Sequence, residues 1–393
     1  MNNLENTGTP IFRNFPQQSF IQELHNYWFT SLLGTILVLL GSSLLFWNEG
    51  RAIRTSRALE ECLRDITVLD SVDSVFEENE GSLLLVSGHL AIRNSLGDDI
   101  YGLSVHAVKL KKTVEVYQWK ETKHTKRRKV RNGNGQYVTK IDKRYSYHKG
   151  WYDYPIDSNR FHRHYGHDNQ PSSAWPTKSK LETNTNVRIG GFMLGPNIIN
   201  KINNFRPLGG EELPTPAWVW VKLYEGIFYH TDNILDPAVG DYRVQFAVAG
   251  REGEAFSIVG KQRGKGIVPH QTKSGEEILI LKTGRKTAEE IFVSEHHQNR
   301  TWTWIYRLGG WFPLFLGLLC LSSLLGQFLD MFPMTRSIVT MGSTSLPFTV
   351  SVTLTLSIIG VGWSWYRPVV GLSLLLLGIL PFMAPSSSVT TPS

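Results

Sequence analysis

LGGWFPLFLGLLCLSSLLGQFL (residues 308–329), LPFTVSVTLTLSIIGVGWSWY (346–366) and PVVGLSLLLLGILPFMA (368–384) are three apolar runs near the end of a 393-residue chain, and none contains a charged side chain. A helix needs about 20 apolar residues to cross the hydrocarbon core of a bilayer. The first two runs reach that length; the third is short but usable. Arg367-Pro368 separates the second from the third and predicts a tight helical hairpin. A fourth uncharged run lies near the start, at 28–47. Its leader has Arg13 as the only basic residue and no small-residue cleavage site follows, so it reads as an uncleaved anchor.

These runs predict a multi-pass membrane protein with four transmembrane α-helices and a large α+β, β-rich soluble domain inserted between the first and second. The expected order is a flexible polar N-terminus (1–27), a span (28–47), the soluble domain (48–307), spans at 308–329, 346–366 and 368–384, and a polar tail (385–393). Aromatic rings crowd the ends of the runs, at Trp28 and Trp47, at Trp302, Trp304 and Tyr306, and at Trp363, Trp365 and Tyr366. Rings of this kind favour the boundary between water and hydrocarbon.

The net charge is +7, from 41 basic and 34 acidic residues. Outside 48–307 the only charges are Glu5, Arg13, Glu23, Asp330, Arg336 and Arg367, so the whole excess lies in the soluble region. That mild basicity suits anionic lipid headgroups and is too weak to argue for nucleic acid. Cys62 and Cys320 are the only cysteines, and Cys320 falls inside an apolar run, so no disulfide is expected.

Residues 48–66 read as a helix leaving the membrane. Arg51, Arg54, Arg57 and Arg64 gather near one face, with Ile53, Leu59, Leu63 and Ile66 as an apolar stripe. The four arginines are candidates for contact with the membrane surface. The alternative is an ordinary helix packed on the domain, its arginines paired with acids such as Glu60 or Glu61. Further on, residues 83–86, 113–119, 217–224, 242–249 and 277–281 read as strands from their alternation and their β-branched or aromatic content. Residues 196–204 and 287–298 read as helices.

Chemistry-bearing motifs are sparse. His162, His164 and His167, beside Asp168, have spacing that could hold zinc given a fourth ligand. The surrounding run reads as a polar loop, and no metal, cofactor or catalytic residue is assigned. The basic run 120–131, centred on Lys126-Arg127-Arg128-Lys129, reads as a solvated hairpin tip. No nucleophile elbow, Walker loop or dinucleotide fingerprint occurs. With no ionisable group inside the apolar runs, a proton- or cation-coupled carrier is disfavoured. Gly34, Gly41, Gly360, Gly362, Gly371 and Gly378 instead suit close helix packing.

Trp47-Asn48-Glu49-Gly50-Arg51, Tyr117-Gln118-Trp119-Lys120-Glu121, Lys149-Gly150-Trp151 and Gly166-His167-Asp168-Asn169 are joined by a second set of motifs. These are Gly240-Asp241 with Arg243-Val244, Lys273-Ser274-Gly275, Ala288-Glu289-Glu290, Gly310-Trp311 and Tyr366-Arg367-Pro368. Together, in this order and across 28–381, they resemble the LUMA family, also called the transmembrane protein 43 family. One departure is Asp168-Asn169-Gln170-Pro171, where the family pattern has Asn followed directly by Pro. The resemblance implies four spans and a large domain on the lumenal or extracytoplasmic side. It implies residence in the endoplasmic reticulum and inner nuclear membrane of eukaryotes, or in the bacterial cell membrane. It further implies self-association as a homo-oligomer and membrane or lamina-associated proteins as partners, beside the membrane lipids, and no nucleic acid, that the charge already suggests. No catalytic residue comes with it. The expected function is therefore a non-enzymatic membrane scaffold. The alternative is a lipid-binding or lipid-processing membrane enzyme with its site where the domain meets the bilayer. The positive-inside rule opposes the implied sidedness, because Arg51, Arg54, Arg57, Arg64, Arg300, Arg307 and Arg367 all fall on the domain side.

Overall fold

The computed structural model of the protein describes residues 28–69, 71–131, 137–322, 345–364 and 368–383. The chain divides into two compact units. One comprises Met1–Leu63, Thr272–Glu276 and Phe292–Ser393; the other comprises Arg64–Gln271 and Glu277–Ile291.

The first unit is built on helices α1 (Trp28–Asp65), α2 (Ala288–Cys320), α3 (Ser345–Ser364) and α4 (Pro368–Met383). Helix α1 runs unbroken from the apolar stretch into the arginine-bearing one. Helix α2 starts where a reciprocal cap sets it: Thr287 Oγ1 accepts from the Glu290 amide and the Glu290 carboxylate accepts from the Thr287 amide, both at 3.2 Å. Helices α1 and α2 meet backbone to backbone at two glycine pairs. A Cβ on Gly34 would stand 2.8 Å from the Gly317 carbonyl oxygen, and one on Gly41 would stand 2.6 Å from that of Gly310. Both pairs are spaced by seven residues, so each helix brings two hydrogen-only positions onto one stripe. Leu45, Leu314 and Leu318 fill the space alongside. Gly371 of α4 makes the same kind of approach to Ser364 of α3.

Among the described residues two helices are long and apolar enough to cross a membrane, Trp28–Asp65 and Leu346–Ser364. This corrects the four-span expectation, and with it the placement of the β-rich domain between the first and second of four spans. The run at 308–329 enters α2 only as its last 13 residues, 308–320, with Pro313 among them; residues 323–329 lie outside the described residues. The described part of that run, thirteen helical residues, rises about 20 Å. Helix α4 has 16 residues, about 24 Å, and is too short on its own against a hydrocarbon core of about 30 Å. Helix α4 covers its run to within one residue, so it is the shortness of that apolar run, and not its helical character, that falls below a bilayer's thickness.

The second unit carries strands β1 (Leu83–Ile92), β2 (Ala107–Arg131), β3 (Tyr137–Tyr152), β4 (Tyr242–Arg251) and β5 (Ala255–Arg263). In the first sheet β1 pairs antiparallel with β5 along one half and with Val187–Ile189 along the other. The path continues through Phe192–Met193 and Gly266–Val268 back to β5, so five strands close into a ring. Leu84, Val86, Ile189, Phe192, Ile258 and Ile267 belong to its core. The first half of β1 is buried on both faces, which is why 83–86 is continuously apolar rather than alternating.

The second sheet is an antiparallel array ordered Val221–Tyr224, Ile227–His230, β4, β2, β3. Its first two strands turn through Glu225 (φ 49°) and Gly226 (φ 77°), the left-handed pair a two-residue hairpin requires. Val114, Phe228, Val244 and Phe246 form the centre of its core. Beyond Val116 the strand partner of β2 is β3 alone. The two continue as a ribbon of about 50 Å, well past the strand expected at 113–119. Residues 196–204 form a single helical turn, Pro196–Ile199, rather than a full helix.

Candidate functional site

The most constrained polar cluster lies in the helical unit, at Asn48, Glu49 and Arg51 of α1. Glu49 is fully buried. Its Oε1 accepts from Arg307 Nε at 2.7 Å, and its Oε2 accepts from Arg307 Nη2 and from Trp363 Nε1, each at 2.8 Å. One carboxylate thus ties α1 to α2 and α3. The two-point geometry matches the planar fork of a guanidinium, the strongest form of ion pair. The Arg307 guanidinium also lies over Trp304, 5.0 Å from the ring centre.

Two residues further along, Arg51 points into the same seam. It donates to Asn299 Oδ1 at 3.1 Å, Thr303 Oγ1 at 3.2 Å and Asn48 Oδ1 at 3.3 Å, and it rests 5.3 Å from the centre of the Tyr306 ring. Asn48 donates to the Thr303 carbonyl and Asn299 to the Ala52 carbonyl. The four arginines proposed for the membrane surface therefore divide. Arg51 is held between helices. Arg54 is exposed and pairs with Glu276 at 3.4 Å, while Glu61 accepts from the Lys273 amide. Arg57 is exposed and borders a cavity, and Arg64 is exposed.

That cavity measures about 620 Å³ and lies between α1 and α2, with Trp363 of α3 on one side. Ile53 and Trp304 give it apolar walls; Arg57, Glu60, His296 and Arg300 supply ionisable groups.

In the β-rich unit the three histidines pack against the ribbon. The His162 ring stacks on Tyr145 at 4.2 Å, and His167 stacks on Tyr147 at 4.0 Å with an edge toward Trp119. His164 is exposed. Glu121 accepts from Tyr147 Oη at 2.7 Å and from the His162 amide at 2.6 Å. Asn169 acts as a short substitute strand: its side chain accepts from the Trp119 amide and donates to the Trp119 carbonyl. Among the described residues no group of three or more His, Cys, Asp or Glu is placed to share a metal ion. Past this brace the ribbon is open and basic. Residues 120–149 contain 11 Lys and Arg against two acids.

A second buried polar group sits at the other end of the same sheet order, on Ile227–His230 and β4. Tyr101 Oη is 2.9 Å from His230 Nε2, and the His230 ring stacks on Tyr242 at 4.0 Å. Burial, and then the nearby Lys112 charge, lower the His230 pKa from 6.5 to about 4. Burial pushes the Tyr101 hydroxyl up. Neutral His230 and neutral Tyr101 thus share one hydrogen bond, a packing arrangement rather than an acid–base pair poised near neutrality.

Sequence reasoning missed Glu49, Asn299, Thr303, Arg307 and Trp363 as one cluster. The available signal was a carboxylate two residues past an uncharged run, facing an arginine immediately before another such run.

A family model described as transmembrane protein 43 matches residues 116–368. The chain is 35% identical to the transmembrane protein 43 of Homo sapiens over 381 residues, covering 95% of this chain and 93% of that protein. The Rattus norvegicus protein of the same name is 35% identical over 384 residues, covering 96% and 94%. The transmembrane protein 43 homolog of Drosophila melanogaster is 34% identical over 373 residues, covering 93% and 96%. No solved structure matches the chain significantly. With relatives at this identity along nearly its whole length, and with two helices fit to cross a bilayer, the chain belongs to the transmembrane protein 43, or LUMA, family of membrane proteins.

Proposed function

We propose that the protein is a non-enzymatic membrane scaffold that self-associates and organises protein complexes or lipid at the bilayer. The observation that carries this reading is the Glu49 knot. Both carboxylate oxygens are engaged by fixed donors from two other helices, three bonds on about four acceptor positions, so the best-defined ionisable site holds helices together. Around that frame, Leu32, Ile36, Leu39 and Leu40 of α1 and Leu372 and Leu376 of α4 are exposed, an apolar surface for lipid or for a second copy. The compartment that fits this reading is the endoplasmic reticulum and inner nuclear membrane in a eukaryotic cell, or the cell membrane in a bacterial one. Single-molecule photobleaching of the tagged full chain in native nanodiscs tests self-association. Stepwise bleaching above one step supports it; one step per particle at every expression level removes it.

A second reading, lipid binding, is favoured by the cavity beside the arginine-bearing part of α1, because it combines aromatic walls with basic groups.

A further inference from the structure

We infer that the cavity between α1 and α2 binds the phosphodiester of a phospholipid headgroup; this deepens the lipid-binding reading and rests on it. The depth fits. The uncharged run of α1 ends at Trp47, and the cavity borders α1 from Ala52 to Glu60. That is five to thirteen residues on, about 8–20 Å along the helix, so this wall starts at the outer edge of a headgroup layer about 5–8 Å thick, while the opposite wall, Arg307 and Trp363, stands at the ends of two other uncharged runs. The size fits as well: about 620 Å³ lies within the range of small-ligand pockets.

The charge narrows the ligand class. Four charged side chains border the cavity: Arg57, Arg300, Arg307 and Glu60. Arg307 is neutralised from behind by Glu49. Arg57 and Arg300 against Glu60 leave one net positive charge, which suits the single negative charge of a phosphodiester better than a polyanionic headgroup. Among the described residues Arg300 meets no hydrogen-bond acceptor, so it can turn to a ligand without breaking an existing contact. Trp304 and Trp363 form flat apolar walls against which a glycerol backbone packs, as tryptophans do at the bilayer interface.

Native mass spectrometry of the full chain in detergent micelles tests this. The probes are phosphatidylglycerol, diacylglycerol with the same acyl chains, and inorganic phosphate. The expected result is binding of phosphatidylglycerol and not of diacylglycerol, with inorganic phosphate a weak competitor. Arg57→Gln with Arg300→Gln should weaken phosphatidylglycerol binding about 25-fold, from a factor of roughly five per arginine. Lys126→Gln with Arg127→Gln, which removes two charges from the ribbon, should leave it unchanged. Arg57 and Arg300 are both exposed, and a thermal melt of each variant checks that the fold is retained. Equal loss in the two double variants would reveal diffuse attraction and overturn the site. Inorganic phosphate competing as strongly as lipid would overturn the lipid source in favour of a soluble phosphate ester. Phosphatidylglycerol binding untouched by the cavity variant would sink the site while lipid binding stands; no binding of either lipid would remove both.

Discussion

Glu49 and Arg307, 258 residues apart in the chain, face one another as a two-point ion pair with separations of 2.7 and 2.8 Å, and the carboxylate has no exposure to solvent. Removing one member of a buried pair strands the other. Arg307→Ala or Glu49→Ala should therefore destabilise the helical unit by about 3–5 kcal/mol. The double variant should cost well under the sum of the two, because neither charge is left alone. Trp363→Phe, which removes one donor and keeps most of the ring, should cost about 1–2 kcal/mol. Denaturant unfolding in a fixed detergent reads all four; additive single and double losses would show that the pair is not coupled.

Glycine substitutions should split by position. Gly41→Ala drives a Cβ to within 2.6 Å of the Gly310 carbonyl, so α1 and α2 must separate, at a cost of about 1–3 kcal/mol. Gly50→Ala meets nothing nearer than Arg54 Nη1 at 3.5 Å and should stabilise the helix by up to about 1 kcal/mol. Melting temperatures moving in the same direction for both would contradict the packing.

Asn299-Arg300-Thr301 has the form of an N-glycosylation acceptor, yet the Asn299 amide nitrogen donates to the Ala52 carbonyl at 2.9 Å and its oxygen accepts from Arg51. Protein made in a glycosylating cell should show no mobility shift on endoglycosidase treatment that depends on Asn299. Asn299→Ala should lower stability by about 1–3 kcal/mol through two lost bonds at a seam. A glycan at this position with unchanged stability would place Asn299 outside the seam.

Acid should weaken the β-rich unit through His230. Its pKa is lower folded, about 4, than unfolded, about 6.5, so between those values the unfolded chain binds more protons. The stabilisation is complete above about pH 6.5, falls as pH drops toward 4, and is constant below that. Its full extent is up to about 3 kcal/mol. His230→Gln should flatten this part of the stability–pH curve. An identical slope between pH 6.5 and 4 in both proteins would assign the acid sensitivity elsewhere.

Local pattern was enough wherever a segment's neighbours are its own. The buried run 83–86, the alternation at 242–249 and the start of α2 near Thr287 could be read residue by residue. The 25-residue length of β2 could not, because residues 120–131 show no apolar alternation. They are extended because β3 pairs with them residue for residue, from Val116 opposite Tyr152 to Arg131 opposite Tyr137. The Glu49 cluster failed for the same reason. Its partners lie 258 and 314 residues away, and nothing local distinguishes a carboxylate beside a span that meets water from one that meets an arginine. Arg51 was assigned to the headgroups for want of any sign of Asn299 and Thr303 opposite. Spans were overcounted because an apolar run too short to cross a bilayer was counted as one: α4 is helical over 16 residues, nearly all of its run, and still falls short.

The basic ribbon has one more consequence, for how the protein behaves on an ion exchanger. Residues 120–149 hold 11 basic and two acidic residues, which leaves 30 basic against 32 acidic in everything else. The isoelectric point near 9.2 is thus set by a single hairpin rather than spread over the molecule. With that hairpin replaced by a short uncharged turn, the remaining chain carries a formal charge of opposite sign. It would leave a cation exchanger in the flow-through and be retained on an anion exchanger.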